Sequence, residues 1–505
     1  MKTNHTPHSF RTESTPLAPP LRPRSLAPVA LGALTGVLLA SAAAVSGAAN
    51  DAASNWPQWR GPHANGLVPQ ANPPTTWSET ENVKWKAKLP GKGTGTPIVW
   101  GSQIFIQTAI ATGKKVEPGE EKKSAALYSP NVFGQAQSPA APAAPAGAAP
   151  PEGERRRRPG GGGGGGGGRG EKPTEFLQFT LLSIDRATGK TQWQKVAREE
   201  VPHEGHHRDH GFASHSPVTD GQHIYSYFGS RGLHCYDMKG ELKWQKNFGT
   251  QRTANGFGEG GSPALSGNTL VVNWDHEGED FIAAFDKTTG KELWRNPRDE
   301  KTTWTTPLVL QHEGKPQVIV AASGRIRSYD LATGKQIWEC GGLGSNVVPT
   351  PVSDFGMLFA MSGHREPALL AIKLDKTGDL TGTDSIVWRQ SRSTPYVPSP
   401  LLYGDKLYYF SGNNATLSCF NAKTGESQFS ERLEGPSGFY ASPVGAGGRI
   451  YLAGRNGTSI VMKNSGQLEI LATNKLDEKF DASPAIAGNE LYLRGHEYLY
   501  CLAEK

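Results

Sequence analysis

A small hydroxyl residue followed by proline recurs eight times along the 505-residue chain. The pairs are Thr96-Pro97, Ser216-Pro217, Ser262-Pro263, Thr306-Pro307, Thr350-Pro351, Ser399-Pro400, Ser442-Pro443 and Ser483-Pro484. Six of the seven gaps between successive prolines are 41 to 49 residues, and the first is 120. A repeat of this length holds four short strands, the content of one propeller blade. The chain is therefore predicted to be all-β, an eight-bladed β-propeller of four-stranded antiparallel blades.

Each repeat also ends in a characteristic turn and strand. A clear copy runs from Asp286 through Thr289-Gly290 to Trp294, and Asp330 to Trp338 repeats it. The Asp side chain accepts backbone N–H groups within such a turn, while Gly supplies the positive φ angle. The tryptophan is expected to pack over the neighbouring blade with its indole N–H satisfied. Each repeated Trp is thus interpreted as structural.

The strand pattern also predicts how the ring closes. The eighth repeat contains only three strands before the sequence ends at Lys505. The segment from Val83 to Leu89 alternates polar and apolar residues and carries Trp85 in the outer-strand position. We therefore expect this N-terminal strand to complete the last blade and remove its open edge.

The sequence predicts three parts: a signal peptide or signal anchor at 1–49, an extended segment at 50–82 and the propeller at 83–505. Basic residues precede an apolar stretch from Leu26 to Ala49 that ends in small residues, as in export signals. Cleavage of this segment as a signal peptide is favoured over its retention as a membrane anchor, although the apolar stretch is long enough to span a membrane. The protein is therefore expected to be periplasmic or otherwise exported.

An insertion at about 111–175 accounts for the one long gap. It contains Arg155 to Arg158 and nine consecutive glycines from Gly160 to Gly168. Such a low-complexity segment cannot bury a core and is predicted to be disordered. We interpret it as a tolerated surface loop; the alternative is an electrostatic arm for acidic polymers or anionic membranes.

The cysteines are not expected to form disulfides, although the protein is predicted to be exported. Cys235, Cys419 and Cys501 occupy the same place in three repeats. Equivalent positions in different blades lie too far apart to bridge. They are interpreted as small buried hydrophobic residues.

These repeats resemble those of the pyrroloquinoline-quinone (PQQ) propellers, over about residues 56–505 apart from the insertion. Four strings resemble exported planctomycete-type propellers, which are related to the outer-membrane barrel-assembly lipoprotein BamB. The strings are Trp56 to Pro62 (WPQWRGP), His203 to His207 (HEGHH), Asn273 to Gly278 (NWDHEG) and Thr394 to Pro400 (TPYVPSP). The resemblance implies the fold and carries over no biochemical role.

Polar residues concentrate in two loop sets that share one face of a propeller: outer strand to next inner strand, and second to third strand. Because binding residues gather on loops of rigid scaffolds, we expect a site at this mouth of the channel. The candidate ligand-binding residues are His203, Glu204, His206, His207, Glu259, Asp275, His276, Trp304, Arg325, Asn346 and Tyr396. The His-rich loop lacks zinc-site spacing, so a polar loop hydrogen-bonded into the rim is favoured over metal binding.

Two functions compete. The favoured one is a non-catalytic envelope propeller without a cofactor that binds a protein, peptide or glycan. The alternative is a PQQ-dependent dehydrogenase with Ca²⁺, for which Glu259, Asn346, Asp275, Arg325 and Trp304 offer the residue types. Against it, the chain lacks the adjacent-cysteine pair of many PQQ alcohol dehydrogenases and a Cys-x-x-Cys-His haem motif.

The net charge of the chain limits the classes of partner that it is expected to bind. A formal net charge of +6 over this length gives no sign of specific nucleic-acid binding. Membrane contact is expected only through an uncleaved N-terminal segment, and the protein is expected to be a monomer.

Overall fold

The computed structural model describes residues 53–116 and 171–504. The predicted signal segment at 1–49 and most of the predicted insertion lie outside the described residues. The described part forms eight β-sheets, one for each predicted blade, in which consecutive strands pair antiparallel from the innermost to the outermost. Two strands precede the first blade, β1 (Leu67–Val68) and β2 (Val83–Lys88).

The first four blades follow in chain order. Blade 1 contains β3 (Ile98–Trp100), β4 (Gln103–Lys115), β5 (Glu175–Asp185) and β6 (Thr191–Glu200). Blade 2 contains β7 (Val218–Thr219), β8 (His223–Tyr227), β9 (Leu233–Asp237) and β10 (Leu242–Lys246). Blade 3 contains β11 (Ala264–Ser266), β12 (Thr269–Trp274), β13 (Asp280–Asp286) and β14 (Glu292–Arg298). Blade 4 contains β15 (Leu308–His312), β16 (Lys315–Val320), β17 (Ile326–Asp330) and β18 (Gln336–Cys340).

The second four blades complete the ring. Blade 5 contains β19 (Val352–Asp354), β20 (Met357–Ser362) and β21 (Ala368–Lys373), then β23 (Ile386–Gln390) after the short β22 (Gly378–Asp379). Blade 6 contains β24 (Leu401–Tyr403), β25 (Lys406–Phe410), β26 (Thr416–Asn421) and β27 (Ser427–Arg432). Blade 7 contains β28 (Val444–Ala446), β29 (Arg449–Ala453), β30 (Thr458–Lys463) and β31 (Ile470–Lys475). Blade 8 contains β32 (Ala485–Ala487), β33 (Glu490–Arg494), β34 (Tyr498–Leu502) and β2.

The predicted closure is confirmed. Strand β2 pairs antiparallel with β34, with Val83 opposite Leu502 and Lys88 opposite Tyr498. It therefore supplies the outer strand of blade 8 from the N-terminal side of the chain. Two short 3₁₀ helices, Gly229–Arg231 and Ala254–Gly256, lie in connecting loops. No helix of the described residues is long and apolar enough to cross a membrane.

Two strands extend the sheets beyond the prediction. Strand β1 pairs in parallel with the inner strand of blade 7, and β22 pairs in parallel with the outer strand of blade 4. Strands β4 and β5 also remain paired up to Lys115 and Glu175, inside the range predicted for the insertion. Lys115 and Glu175, at the two ends of the described parts of the chain, are therefore held side by side.

Trp85, Trp244, Trp294 and Trp388 dock with the indole N–H satisfied, as predicted. The buried indole N–H groups of Trp193 and Trp338 have no hydrogen-bond partner among the described residues, so the prediction holds for them only in position. The Trp244 indole donates a hydrogen bond to the Lys287 carbonyl in the next blade at 3.0 Å, and Trp85 donates to Arg186 at 3.0 Å. All four cysteines are buried and free of disulfides. The tryptophan contacts and the burial of Cys235, Cys419 and Cys501 follow from the repeat register, which places equivalent side chains at equivalent positions in each blade.

A ring of hydrogen bonds joins the inner strands where each begins. The backbone N–H of one hydroxyl residue donates to the side-chain oxygen of its counterpart in the next blade, for example from Ser262 to Thr306 at 2.9 Å. Seven of the eight steps form, at 2.8 to 3.0 Å. At the remaining step, the buried Thr96 hydroxyl has no hydrogen-bond partner among the described residues.

The chain before β2 lies against the inner strands of several blades. Residues 56–66, here called the floor segment, pair with β3 through Trp56 and Val99. The buried Arg60 guanidinium donates to the carbonyls of Pro443 and Pro400, at 2.8 and 2.9 Å. Burial lowers the pKa of Arg60 to about 9. This one segment therefore bridges blades 1, 6 and 7 beneath the channel.

Candidate functional site

A central cavity of about 450 Å³ opens on the face that carries the connections from outer to next inner strands, the upper face. It contains residues from both predicted loop sets and from the Ser/Thr ring. Its floor includes Trp59, whose indole donates to the Ser483 hydroxyl at 3.4 Å. The aromatic and imidazole side chains of its lining are Trp59, His207, His210, Phe257, Trp304, His364, Tyr396 and Tyr440. Concave, mostly apolar cavities of this size are typical of small-ligand sites.

Three predicted residues line this cavity directly: His207, Trp304 and Tyr396. The Trp304 indole donates to the Gly258 carbonyl at 2.7 Å, which fixes the ring. The Tyr396 ring lies 5.0 Å from the His364 ring, and burial raises the pKa of its hydroxyl. Asn346, whose side chain hydrogen-bonds Tyr396, lies directly beside the cavity wall. These residues form an aromatic wall that spans blades 3 to 6.

Glu259 and His203 lie behind the wall rather than in the cavity. The Arg231 guanidinium donates to Glu259 Oε1 at 2.8 Å, and the Ser230 N–H donates to Oε2 at 2.6 Å. Burial opposes ionisation, but the Arg231 charge and these bonds keep the pKa of Glu259 below its usual value. His203 Nε2 lies 2.5 Å from the Gln251 carbonyl. Both side chains are therefore committed to protein partners.

The side chains of the neighbouring loop residues Glu204 and His206 also contact other protein groups. Glu204 accepts a hydrogen bond from the Thr253 hydroxyl at 2.6 Å. His206 Nδ1 lies 2.7 Å from the His207 carbonyl, and its ring packs against Phe212 at 4.5 Å. Only His207 of this adjacent pair reaches the cavity lining.

A second buried cluster holds Asp275 and His276. Arg298 donates from Nε and Nη2 to the two Asp275 oxygens, at 2.6 and 3.0 Å, and both side chains are fully buried. His276 Nδ1 accepts the Arg252 N–H at 3.2 Å, and burial lowers the pKa of its imidazole. Burial, with the nearby Asp275 charge, raises the pKa of Asp280 to about 7. This cluster links strands of blade 3 and lies away from the cavity lining.

Arg325 lies at the outer rim. Its guanidinium contacts Asp379 at 3.1 Å and Glu339 at 3.2 Å, beside the outer strand of blade 4. The eleven predicted residues thus share one face by topology but do not converge on one point. Three line the cavity, Asn346 lies beside it, and the others are bound elsewhere.

The cavity also contains a charged network that the prediction did not select. Arg455 donates to Asp481 at 2.7 Å and to Asp209 at 3.1 Å, and the Tyr440 hydroxyl donates to Asp209 at 3.1 Å. Burial opposes ionisation, but the Arg455 charge lowers the pKa of Asp209. All four residues occur in the two predicted loop sets, yet the sequence holds no signal that they meet.

A further cavity of about 550 Å³ adjoins this network. It shares Asp209, Tyr440 and Asp481 with the central cavity, and we call it the side cavity. Arg455 packs its guanidinium over the Tyr440 ring at 3.8 Å. The side cavity also contains the charged and amide side chains of Arg208, Asn413, Asn456 and Lys479.

The candidate residues do not fit a metal-bound quinone. Glu259 and Asp275 each accept an arginine, and the carboxylates of the cavity accept Arg455. In residues 53–116 and 171–504, no group of three His, Cys, Asp or Glu side chains is placed to hold a metal ion.

Comparisons with known proteins identify the fold and the family. No curated protein matches the sequence. BamB from Moraxella catarrhalis is 16% identical, with 64% of this chain and 91% of that chain covered and a TM-score of 0.46. The computationally designed Ika8 protein is 15% identical, with 66% and 97% covered and a TM-score of 0.45.

The quinohemoprotein alcohol dehydrogenase from Comamonas testosteroni is 10% identical, with 93% of this chain and 85% of that chain covered and a TM-score of 0.56. At this identity the likeness shows the fold alone. The model of the family described as outer membrane protein assembly factor BamB matches residues 178–431, half of the chain. Together with the tryptophan-docking repeats, this match shows that the chain belongs to the PQQ-like β-propeller family of BamB.

Proposed function

We propose that the protein is an exported, non-catalytic binding propeller of the cell envelope that holds its ligand in the central cavity. The aromatic wall supplies contact area, and the floor segment closes the channel beneath it. A cavity with one open mouth suits retention of a ligand better than passage through the ring. The family description, an assembly factor of the outer membrane, supports a role among envelope components.

One observation carries the non-catalytic part of the proposal. Both carboxylates in the cavity lining, Asp209 and Asp481, are held by Arg455. A general base or a metal ligand acts best when no cation neutralises it, whereas these oxygens already accept charge-assisted hydrogen bonds from a guanidinium. Burial lowers the pKa of His210 to about 4, so the imidazole adds no positive charge at neutral pH. The paired carboxylates therefore favour a contact surface over a metal-assisted catalytic centre.

The first experiment titrates the purified protein with PQQ and Ca²⁺ and follows absorbance and thermal unfolding. We expect neither a bound-quinone spectrum nor stabilisation, and no dye reduction with an alcohol. Saturating, stoichiometric PQQ binding that Trp304→Ala abolishes would show that the non-catalytic proposal is wrong.

The second experiment applies defined peptides and oligosaccharides to the same protein and follows its unfolding. A ligand at 100-fold its Kd is expected to stabilise the fold by about 2.7 kcal/mol. Trp304→Ala should remove that stabilisation, because the ring forms part of the cavity wall. Val387→Ala, on the outer strand of blade 5, is the control and should keep it. Stabilisation that Trp304→Ala retains as fully as the control would place the ligand elsewhere.

A further inference from the structure

The two adjoining cavities differ in the chemistry of their linings and share some lining residues. The central cavity has eight aromatic and imidazole side chains in its lining, whereas the side cavity is richer in amides and cations. Tyr440 and Asp209 belong to both linings, and Arg455 crosses between them to hold Asp481. A ligand longer than one ring that extends past these shared side chains would contact both linings.

The combined lining has an excess of positive charge. Four cationic side chains, Arg208, Arg365, Arg455 and Lys479, stand against two carboxylates. Arg455 already engages both carboxylates. The Arg208 side chain is 84% exposed and comes no closer than 3.8 Å to Asp209. Lys479 forms no ion pair among the described residues. Both cations are thus available to an anionic group, and charge-assisted hydrogen bonds are the stronger kind.

The hydrogen-bonding groups favour a sugar over a peptide backbone. Peptides are commonly held by the free edge of a strand, but the N–H groups at the start of the inner strands already donate around the ring. The groups that remain are side chains, among them the Asn255 amide and the NH₂ of Asn413, whose Oδ1 already accepts the Val397 N–H. Flat aromatic rings accept the apolar C–H face of a sugar, and amides pair with its hydroxyls.

We propose that the central and side cavities form one site for an acidic oligosaccharide. A sugar ring lies against the wall formed by Trp304 and Tyr396, and a carboxylate or sulfate group of the next units meets Arg208 and Lys479. This inference rests on the proposed binding function and names the class of ligand that the site takes.

The experiment measures binding by tryptophan fluorescence with three probes of equal length: a galacturonic acid tetramer, a neutral cellotetraose and a tetraglutamate peptide. The galacturonic acid tetramer should bind most tightly, and salt should weaken its binding because charge attraction is screened. The double variant Arg208→Ala/Lys479→Ala should lose about tenfold in affinity for the acidic sugar, or about 1.4 kcal/mol, and nothing for the neutral one. The control, Lys335→Ala/Arg389→Ala, has the same change in net charge outside both cavities and should bind as the parent does.

Three outcomes would overturn the inference. If tetraglutamate bound more tightly than either sugar, the site would be one for acidic peptides. If both sugars bound with equal affinity, and the double variant left both affinities unchanged, charge would have no part in the recognition. Failure of all three probes to bind would exclude the acidic oligosaccharide. Each of these leaves the proposed non-catalytic function standing, since that proposal fails only in the PQQ titration or if the bound ligand lies outside the cavity.

Discussion

Gly290 illustrates how one residue serves both the turn and the packing between blades. Its φ of +68° lies in the left-handed region, where a side chain is strained. A Cβ at this position would also lie 2.8 Å from the Trp244 ring. Gly189 repeats the arrangement beneath Trp85, with φ +73° and a distance of 2.7 Å. The repeat therefore keeps Gly for two independent reasons.

Gly290→Ala should lower the free energy of unfolding by about 3 kcal/mol, from backbone strain and the clash with Trp244. Gly267→Ala is the matched control, because Gly267 has φ +57° and open space where its Cβ would lie. The control should lose only about 1 to 2 kcal/mol, from backbone strain. Urea unfolding of the two variants measures the difference in the free energy of unfolding. Equal losses would mean that the Trp244 ring shifts to accommodate the new methyl group without loss of stability.

At the scale of elements, β2 completes blade 8, because it covers the outer edge of β34. Its buried face carries Trp85, while Lys84, Lys86 and Lys88 face solvent. Lys84 contacts Glu490 at 2.6 Å, and Lys86 contacts Glu79 at 3.1 Å. Without β2, strand β34 would be left with an unpaired edge.

Two truncated chains test this role. A chain that starts at residue 90 lacks β2 and should associate into oligomers or aggregate, because its last blade exposes an edge. A chain that starts at residue 69 also lacks the floor segment but keeps β2, and should remain monomeric. Analytical ultracentrifugation distinguishes them, and a monomeric chain from residue 90 would contradict the proposed importance of β2.

At the scale of the whole molecule, the Ser/Thr ring connects each blade to the next around the channel. Each hydrogen bond spans about one repeat, such as the 44 residues from Ser262 to Thr306. The step without this bond falls between blades 8 and 1, where the chain also closes the ring through β2. The ring therefore depends on side-chain hydroxyls at seven contacts and on strand pairing at the eighth blade.

The same substitution at two ring positions tests these bonds. Thr306→Val leaves the buried Ser262 N–H without an acceptor and should cost about 1 to 3 kcal/mol. Thr96→Val removes a hydroxyl that has no hydrogen-bond partner among the described residues, and should be neutral or stabilising. Thermal and urea unfolding compare the two, and equal effects would show that the ring bonds contribute nothing.

Sequence periodicity was sufficient for the architecture. The recurring hydroxyl–Pro pair, the Asp-to-Gly turn and the Trp strand predicted the number of blades and the docking of Trp244 on the next blade. Closure by β2 followed from the count of strands in the last repeat. These features are predictable because each repeat contacts its neighbours through the same local positions. The two added strands, β1 and β22, lie outside the repeat and left no periodic signal.

Only the tertiary structure decided which polar side chains are available. Loop topology placed Glu259 and Asp275 on the correct face, but Arg231 and Arg298 hold them, so neither lines the central cavity. The cavity instead contains Asp209, which meets Arg455 across 246 residues of sequence. Sequence by itself determined the scaffold and its upper face, because these depend on contacts at a fixed period. The ion pairs and the floor segment depend on side-chain directions and long-range partners, which only the closed ring brings together.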